Sequence, residues 1–277
     1  MDLNVMDGIY NQDCISGALE HLPDKCVDLG IYDPPFGIGE SKFAKHYNRK
    51  KENVIEGYVE APRDIPYEEW TLRWMEQAKR VLRDDGSIYV VAGHSALRAV
   101  LNAAHQLRFV ERNHIIWKYN FGVNTKKKFV TSHYHILYYA KSPDAAVTFN
   151  TYCRYTPAEL DIDGNSLLEA DLSSVWRINR EFHRGKKKNC NKLPTELVRK
   201  MIQYSSNPGD RVGDFFLGNF TSAIVARRLG RVPYGCFEIN PVAYEIGMQT
   251  LRETAEGCEL SRGDFARPVA MRTEPTQ

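Results

Sequence analysis

Within four residues, Asp33-Pro34-Pro35-Phe36 combines a carboxylate, a stiff pair of prolines and a flat aromatic ring. Neither proline can donate to a strand ladder, so a strand running into them must end at Asp33. The Asp33 carboxylate and the carbonyls of Asp33 and Pro34 can then accept from an exocyclic amino group. Phe36 can stack on the planar ring that carries it, which is how a flipped-out nucleobase is held for chemistry. Taken alone, these residues also suit an ordinary strand-to-loop turn. A second constellation lies far down the chain, where Arg211 to Phe216 reads as a strand, Gly218 as a turn and Thr221 to Leu229 as a helix. Val232 to Phe237 reads as the next strand, with Glu238 at its end. A glycine at such a turn lets a ligand approach the backbone, and an acid about 20 residues later can take both hydroxyls of a ribose. Alone, this too is compatible with a purely structural turn.

The elements that must position these groups alternate between helix and strand. Val27, Leu29, Ile31 and Tyr32 predict a buried strand leading into Asp33. Before it, Tyr10-Asn11-Gln12-Asp13-Cys14 reads as a strand end and acidic turn opening a short helix, so Asp13 also sits near a strand end. Trp70, Trp74, Ala78 and Val81 recur at helical spacing; Asp84-Asp85-Gly86 closes that helix, and Ser87 to Ala92 forms a buried strand. Ser95 caps a helix through Leu107. Phe109 to Tyr119 and Tyr134 to Lys141 read as a hairpin whose turn carries Asn120 to Asn124 and three lysines. Pro143 to His183 is irregular and acidic. Pro194 starts a helix at Thr195 that Asn207-Pro208-Gly209-Asp210 ends, and Pro241 starts another.

A chain of 277 residues with 43% hydrophobic residues can bury a sizeable core. No apolar run approaches the roughly 20 residues of a membrane span, and the start resembles no signal peptide, so a soluble, cytoplasmic protein is expected, with no membrane partner. The six cysteines are scattered, which suits reduced thiols. His133 and His135 share a strand face but lack a third ligand in range. The Glu159-x-Asp161-x-Asp163-Gly164 run has Ala170 where a calcium loop needs its bidentate Glu, so no metal is expected. Net charge is only +2, yet basic residues gather at Lys42, Lys45, Arg49, Lys50 and Lys51, at Lys126, Lys127 and Lys128, and at Arg184, Lys186, Lys187 and Lys188. Each run suits a solvated loop; three together suit phosphate contacts.

The two constellations in this order resemble the amino-group DNA methyltransferases in their permuted arrangement, with the base-binding tetrapeptide ahead of the cofactor-binding one. The resemblance covers roughly Tyr10 to Thr250 and rests on Tyr10 to Cys14, Val27 to Phe36, Leu82 to Val90, Ile115 to Lys118 and Lys192 to Asn240. It implies a doubly wound α/β fold on a mixed seven-stranded sheet, as one methyltransferase domain over residues 1–277. A mobile basic loop over 37–66 and a target-recognition region over 120–190 belong to that domain. It implies S-adenosylmethionine as cofactor and double-stranded DNA as partner, in methylation of the restriction–modification kind, and a homodimer is allowed. Asp33, Pro34, Pro35 and Phe36 would be the catalytic residues. Asp13 would reach the adenine end of the cofactor, with Gly263-Asp264-Phe265 as the competing candidate, and Glu238 would bind the ribose. Asp214, Phe215, Phe216, Gly218 and Asn219 would lie along the methionine part, Thr195 would help hold its carboxylate, and Asp33 and Asn240 complete the cofactor site. Adenine N6 is the preferred target, because Asp at the head of the tetrapeptide is commoner in the adenine enzymes; cytosine N4 is the alternative. A DNA-binding relic without turnover and a Rossmann-type dehydrogenase compete for parts of the pattern, and the latter leaves Asp33 to Phe36 unexplained.

Overall fold

The computed structural model describes residues 7–37, 64–120, 126–181 and 192–260. Among these described residues, eight strands form one sheet in the order β1-β8-β7-β2-β3-β5-β4-β6, one more than the resemblance implied. In chain order they are β1 (Ile9–Tyr10), β2 (Val27–Tyr32), β3 (Leu82–Ala92), β4 (Val110–Lys118), β5 (His133–Ala140), β6 (Val175–Arg177), β7 (Arg211–Asp214) and β8 (Val232–Phe237). The strands β1, β8, β7, β2 and β3 run parallel; β5 pairs antiparallel with β3 and β4, and the short β6 lies parallel to β4 at the edge.

Central strands of such a sheet are covered on both faces, which is why they read as continuous apolar runs rather than alternating ones. On one face, Ile88, Val90, Leu137 and Tyr139 pack under helices α1 (Cys14–His21), α2 (Tyr67–Val81) and α3 (Leu97–Gln106), with Trp70 and Trp74 at the middle of that layer. On the other, Leu29, Ile31, Tyr89, Val91, Ile136 and Tyr138 pack under α5 (Thr195–Ser205) and α6 (Thr221–Arg228). A short α4 (Leu167–Leu172) precedes β6, and α7 (Pro241–Arg252) follows β8. None of the described helices is long and apolar enough to cross a membrane.

Three local expectations are corrected. Asp84-Asp85-Gly86 lies inside β3: the register jumps from Val27 opposite Leu82 to Leu29 opposite Ser87, so Arg83–Gly86 bulges out of the ladder instead of closing the helix. Ser95 does not cap α3, which begins after Ala96, and its hydroxyl donates instead to the Phe36 carbonyl at 3.5 Å. The stretch expected to be irregular contains α4, capped by Ser166, and β6, which extends the sheet.

Phe220 opens α6 with φ +59 and is fully buried in a satellite core with Ile9, Leu217, Met248 and Leu251. Its ring fills a notch over α7 that exists only because residue 247 is glycine. A Cβ there would come within 2.1 Å of the ring. Gly247→Ala should therefore lower unfolding stability by about 1–3 kcal/mol through overpacking, although helix propensity alone would raise it by up to about 1 kcal/mol. Urea unfolding decides the sign, and Phe220→Leu in the same chain should recover part of the loss.

Candidate active site

Because five strands run parallel, their carboxyl ends share one edge of the sheet. Asp13 follows β1, Glu238 follows β8, Asp214 ends β7 and Asp33 follows β2, so four acids stand in spatial order along that edge. The chain winds from β7 through α6 to β8 in one direction and from β2 through α2 to β3 in the other. The β7–β2 boundary is therefore the switch point of the sheet, where open α/β folds leave a crevice. Asp214 and Asp33 flank it.

Asp33 opens into a cleft lined by Pro34, Pro35, Phe36, Val91, Trp117, Tyr134, Arg180, Lys192 and Leu193, with about 440 Å³ of empty space including its mouth. The prolines behave as their chemistry demands: β2 stops at Tyr32. Tyr67 donates to the Pro35 carbonyl at 2.8 Å, fixing the tetrapeptide to α2, while no described residue donates to the Pro34 carbonyl. Phe36 meets Tyr134 edge-on at 5.3 Å, and Trp117, Tyr119 and Tyr134 pack on one another behind it. The cleft wall is thus aromatic, with acceptors on one side. Asp33 keeps part of its surface open to the cleft but is densely surrounded. Burial and the nearby charge of Asp214 push its carboxyl up to about 8, against the pull of Arg180.

Asp214 is pushed up to about 7, chiefly by burial, while hydrogen bonds from the Ser222 hydroxyl and from the Phe216 N–H (2.9 Å) favour its ionised form and Glu238 opposes it. Burial also raises Glu238, whose oxygens accept from the Gly218 N–H at 2.7 Å and the Asn240 N–H at 2.8 Å. Those two bonds tie the glycine turn to the acid 20 residues later and leave the carboxylate further acceptor capacity. Gly218 has φ +52, a conformation that favours glycine. Phe216 is half-buried against Trp70 and Trp74, and Asn219 is half-buried on the turn. The Phe215 side chain is committed to the core against Tyr32 and Phe237, so only its backbone is left for a ligand.

The remaining expected residues fall around this row. Asp13 spends one carboxylate oxygen on the Ile15 and Ser16 N–H groups, both at 3.0 Å, as the cap of α1. Asn240 likewise caps α7 through the Val242 and Ala243 N–H groups. The Thr195 N–H, at the start of α5, donates to Glu181 at 2.6 Å, and Lys192 pairs with the same carboxylate at 3.1 Å. The start of that helix therefore receives a carboxylate already. Lys126, Lys127 and Lys128 are exposed next to the β4–β5 hairpin turn. The clusters from Lys42 to Lys51 and from Arg184 to Lys188, Gly263-Asp264-Phe265, and most of the 37–66 loop lie outside the described residues. His135 contacts His114 (2.8 Å between ring nitrogens), and burial together with His114, His133 and His94 lowers it to about 4. Asp161 turns its carboxylate onto its own loop through Asp163 and Asn165. Among the described residues no acidic, histidine or cysteine group is placed to hold a metal.

The family of N6/N4 DNA methylases matches residues 27–249, which contain Asp33, Asp214 and Glu238. The chain belongs to that family. It is 28% identical over 243 residues to the type II methyltransferase M.HpaI of Haemophilus parainfluenzae, covering 87% of this chain and 73% of that one. It is 29% identical over 241 residues to the type II methyltransferase M.BamHI of Bacillus amyloliquefaciens, covering 80% of this chain and 52% of that one, about half its length. Among solved structures, TTHA0409 of Thermus thermophilus in complex with S-adenosyl-L-methionine superposes with TM-score 0.62 at 18% identity, over 92% of this chain and 96% of that chain. The cytosine-N4-specific PvuII DNA methyltransferase superposes with TM-score 0.62 at 16% identity, over 89% and 90%. At those identities the likeness is one of fold.

For this N6/N4 methylase, sequence reasoning missed Trp117, Tyr134 and Arg180 as cleft residues. Alternation in β4 and β5 could have put Trp117 and Tyr134 on one face. Nothing local marks Arg180, which arrives only because β6 zips onto β4.

A raised carboxyl makes the fold sensitive to pH in a defined direction. Asp33 has an ordinary value in the unfolded chain and about 8 in the folded one. Its contribution to stability is fully present below about pH 4 and is lost as pH rises toward 8. Asp33→Asn removes that loss. The melting temperature of the variant should match the parent near pH 4 and exceed it by several degrees at pH 8; a constant difference across the range would contradict the burial of an ionisable Asp33.

Proposed function

We propose that this chain transfers a methyl group from S-adenosylmethionine to the exocyclic N6 of adenine in double-stranded DNA. The observation that carries the reading is the placement of Asp33 and Asp214 at adjacent strand ends, with Asp33 facing an aromatic cleft and Asp214 beside the Gly218 turn and Glu238. Family membership supports the reaction class. The carboxylate at the head of the tetrapeptide favours adenine; cytosine N4 is the second reading, since the family spans both and one neighbour in fold is cytosine-specific.

The groups present fit the cofactor by their chemistry. Glu238 has acceptor capacity left for ribose hydroxyls, Asp214 is a buried carboxyl that a cationic neighbour would favour in its ionised form, and the start of α5 receives a carboxylate, where that of the cofactor would displace Glu181. Asp13 and Asn240 would frame the adenine end. When bound, S-adenosylmethionine supplies a methyl already activated on sulfur. Asp33 and the Pro34 carbonyl accept the two hydrogens of the amino group, drawing its nitrogen from planar toward tetrahedral geometry and freeing its lone pair. Phe36 stacks on the ring. The remaining task is alignment, and a stiff proline pair tied to Tyr67 performs it. The proton that the methylated nitrogen releases passes to solvent.

Transfer of labelled methyl to unmethylated double-stranded DNA, followed by nucleoside analysis, tests the reading with Asp33→Ala alongside. The expected product is N6-methyladenine, reduced about a hundredfold or more in the variant. N4-methylcytosine would replace the first reading by the second, and no transfer despite cofactor binding would overturn both.

DNA binding by the exposed hairpin has a separate signature. Replacing Lys126, Lys127 and Lys128 with alanine should weaken binding at low salt and flatten the dependence of log K on log salt by about 0.9 for each phosphate no longer neutralised. An unchanged slope would remove that hairpin from the DNA surface.

A further inference from the structure

The base edge that carries an exocyclic amine is a pair of unlike groups: the amino donor stands beside a ring-nitrogen acceptor, N1 in adenine and N3 in cytosine. Asp33 and Pro34 answer only the donor. A flipped-out base buries its ring nitrogen as well, and leaving that acceptor without a donor is costly.

The described lining of the cleft offers few donors for it. The indole N–H of Trp117 is spent on the Ile178 carbonyl at 2.8 Å, and Lys192 gives one N–H to Glu181 at 3.1 Å and is a point charge without a planar fork. Arg180 gives one N–H to the Tyr134 hydroxyl at 2.9 Å and carries several more. Its guanidinium lies over the rings of Tyr119 and Tyr134, 4.9 and 5.2 Å from their centres, and Tyr134 in turn touches Phe36. A shelf of π faces thus runs from the stacking residue to the guanidinium. Arg180 is also close enough to Asp33 for its charge to act on that carboxylate.

Its position is fixed on both sides. Two residues earlier, the Ile178 N–H donates to the Lys118 carbonyl at 3.2 Å, and Ile178 accepts from Trp117; one residue later, Glu181 binds the start of α5. A guanidinium held this way is preorganised to meet a planar acceptor.

We propose that Arg180 is the residue that reads the ring nitrogen beside the methylated amino group, so that Asp33 and Arg180 together grip the donor–acceptor edge of the target base. The proposal rests on the methyl-transfer reading above and deepens it.

The test is a cycle between protein and substrate. Duplexes carrying the methylated site are made with adenine or with 1-deazaadenine at the target, which replaces the ring nitrogen by C–H and keeps the amino group. Labelled-methyl kcat/KM is measured for the parent chain, Arg180→Met and Arg180→Lys. With the parent, loss of the ring nitrogen should lower kcat/KM about tenfold to a hundredfold. With Arg180→Met that penalty should shrink below about threefold, because the donor is already gone. Any change in the ease of flipping is common to both proteins and cancels.

Arg180→Lys keeps the charge near Asp33 but not the planar fork. It should hold the acidic limb of the pH–rate profile where the parent has it while losing most of the ring-nitrogen penalty; Arg180→Met should move that limb to higher pH. Cofactor titration checks that both variants are folded. An equal penalty in the parent and in Arg180→Met, or none in the parent, would overturn the proposal while leaving methyl transfer intact. Absence of transfer from the parent to the unmodified duplex would instead overturn the reading beneath it. Were the product N4-methylcytosine, 3-deazacytosine takes the place of 1-deazaadenine with the same expectations.

Discussion

The structure depends on an electrostatically unfavourable arrangement that a parallel sheet imposes: strands running the same way end on the same edge. When acids occupy those ends, they gather there. Asp33, Asp214 and Glu238 are each raised by burial, and Asp214 raises Asp33 further. The fold compensates unevenly. Glu238 has two backbone N–H partners and Asp214 a hydroxyl and a backbone N–H, whereas Asp33 is held in place by the prolines beside it and by Tyr67 on the Pro35 carbonyl. The acid with the least internal compensation is the one facing the cleft. That is the pattern of a group whose partner arrives from outside.

The cleft and the sheet edge are held by different kinds of structure. Asp214, Gly218 and Glu238 are fixed by backbone hydrogen bonds between neighbouring strands and their turns, so their geometry follows from the sheet. Arg180, Tyr134 and Trp117 come from the β4–β5 hairpin and from the segment after α4. That segment is anchored by a polar network. Arg154 pairs with Asp171 at 2.9 Å and with Glu196, Lys200 reaches Asp171, and the Lys200 ammonium lies 4.6 Å above the Trp176 ring. Buried ionic networks of this sort contribute little net stability, but they tolerate few alternative arrangements. Residues 150–181 are thereby tied to α5, and α5 to the sheet, so the guanidinium at the cleft is positioned by the same helix whose start receives a carboxylate.

Much of the sheet edge was legible in the sequence because it is written in local signals. Two prolines stop β2, and a glycine with an acid 20 residues on, at the next strand end, marks a nucleoside-type turn; the φ of +52 at Gly218 bears out the need for glycine there. Short, nearly continuous apolar runs mark the central strands. What was not legible depends on contacts between distant residues. A large aromatic residue such as Phe220 so close to the glycine turn has no local explanation; the notch above Gly247 accounts for it. The Asp84-Asp85-Gly86 signal is a genuine break, but tertiary pairing with β2 absorbs it as a bulge. Arg180 carries no motif. It is brought to the site by a three-residue edge strand too short to read from periodicity.

The same division governs how target choice can change. The groups assigned to the cofactor are backbone N–H donors and acids at strand ends, and altering them would disturb β7, β8 or the cap of α7. Beyond the tetrapeptide, the cleft proposed for the base is lined by side chains on a shelf: Tyr134, Trp117 and Arg180. Of these, Trp117 is fully buried and bonded to Ile178, so its replacement would loosen the β4–β6 edge. Arg180 and Tyr134 are half-exposed and mutually bonded, and they can be exchanged as a pair with least cost to the core. On the proposed reading, base selection would therefore be most easily altered at the Arg180–Tyr134 pair, one step removed from Asp33. The sheet-edge groups proposed for the cofactor leave less room for change, because the fold itself depends on them.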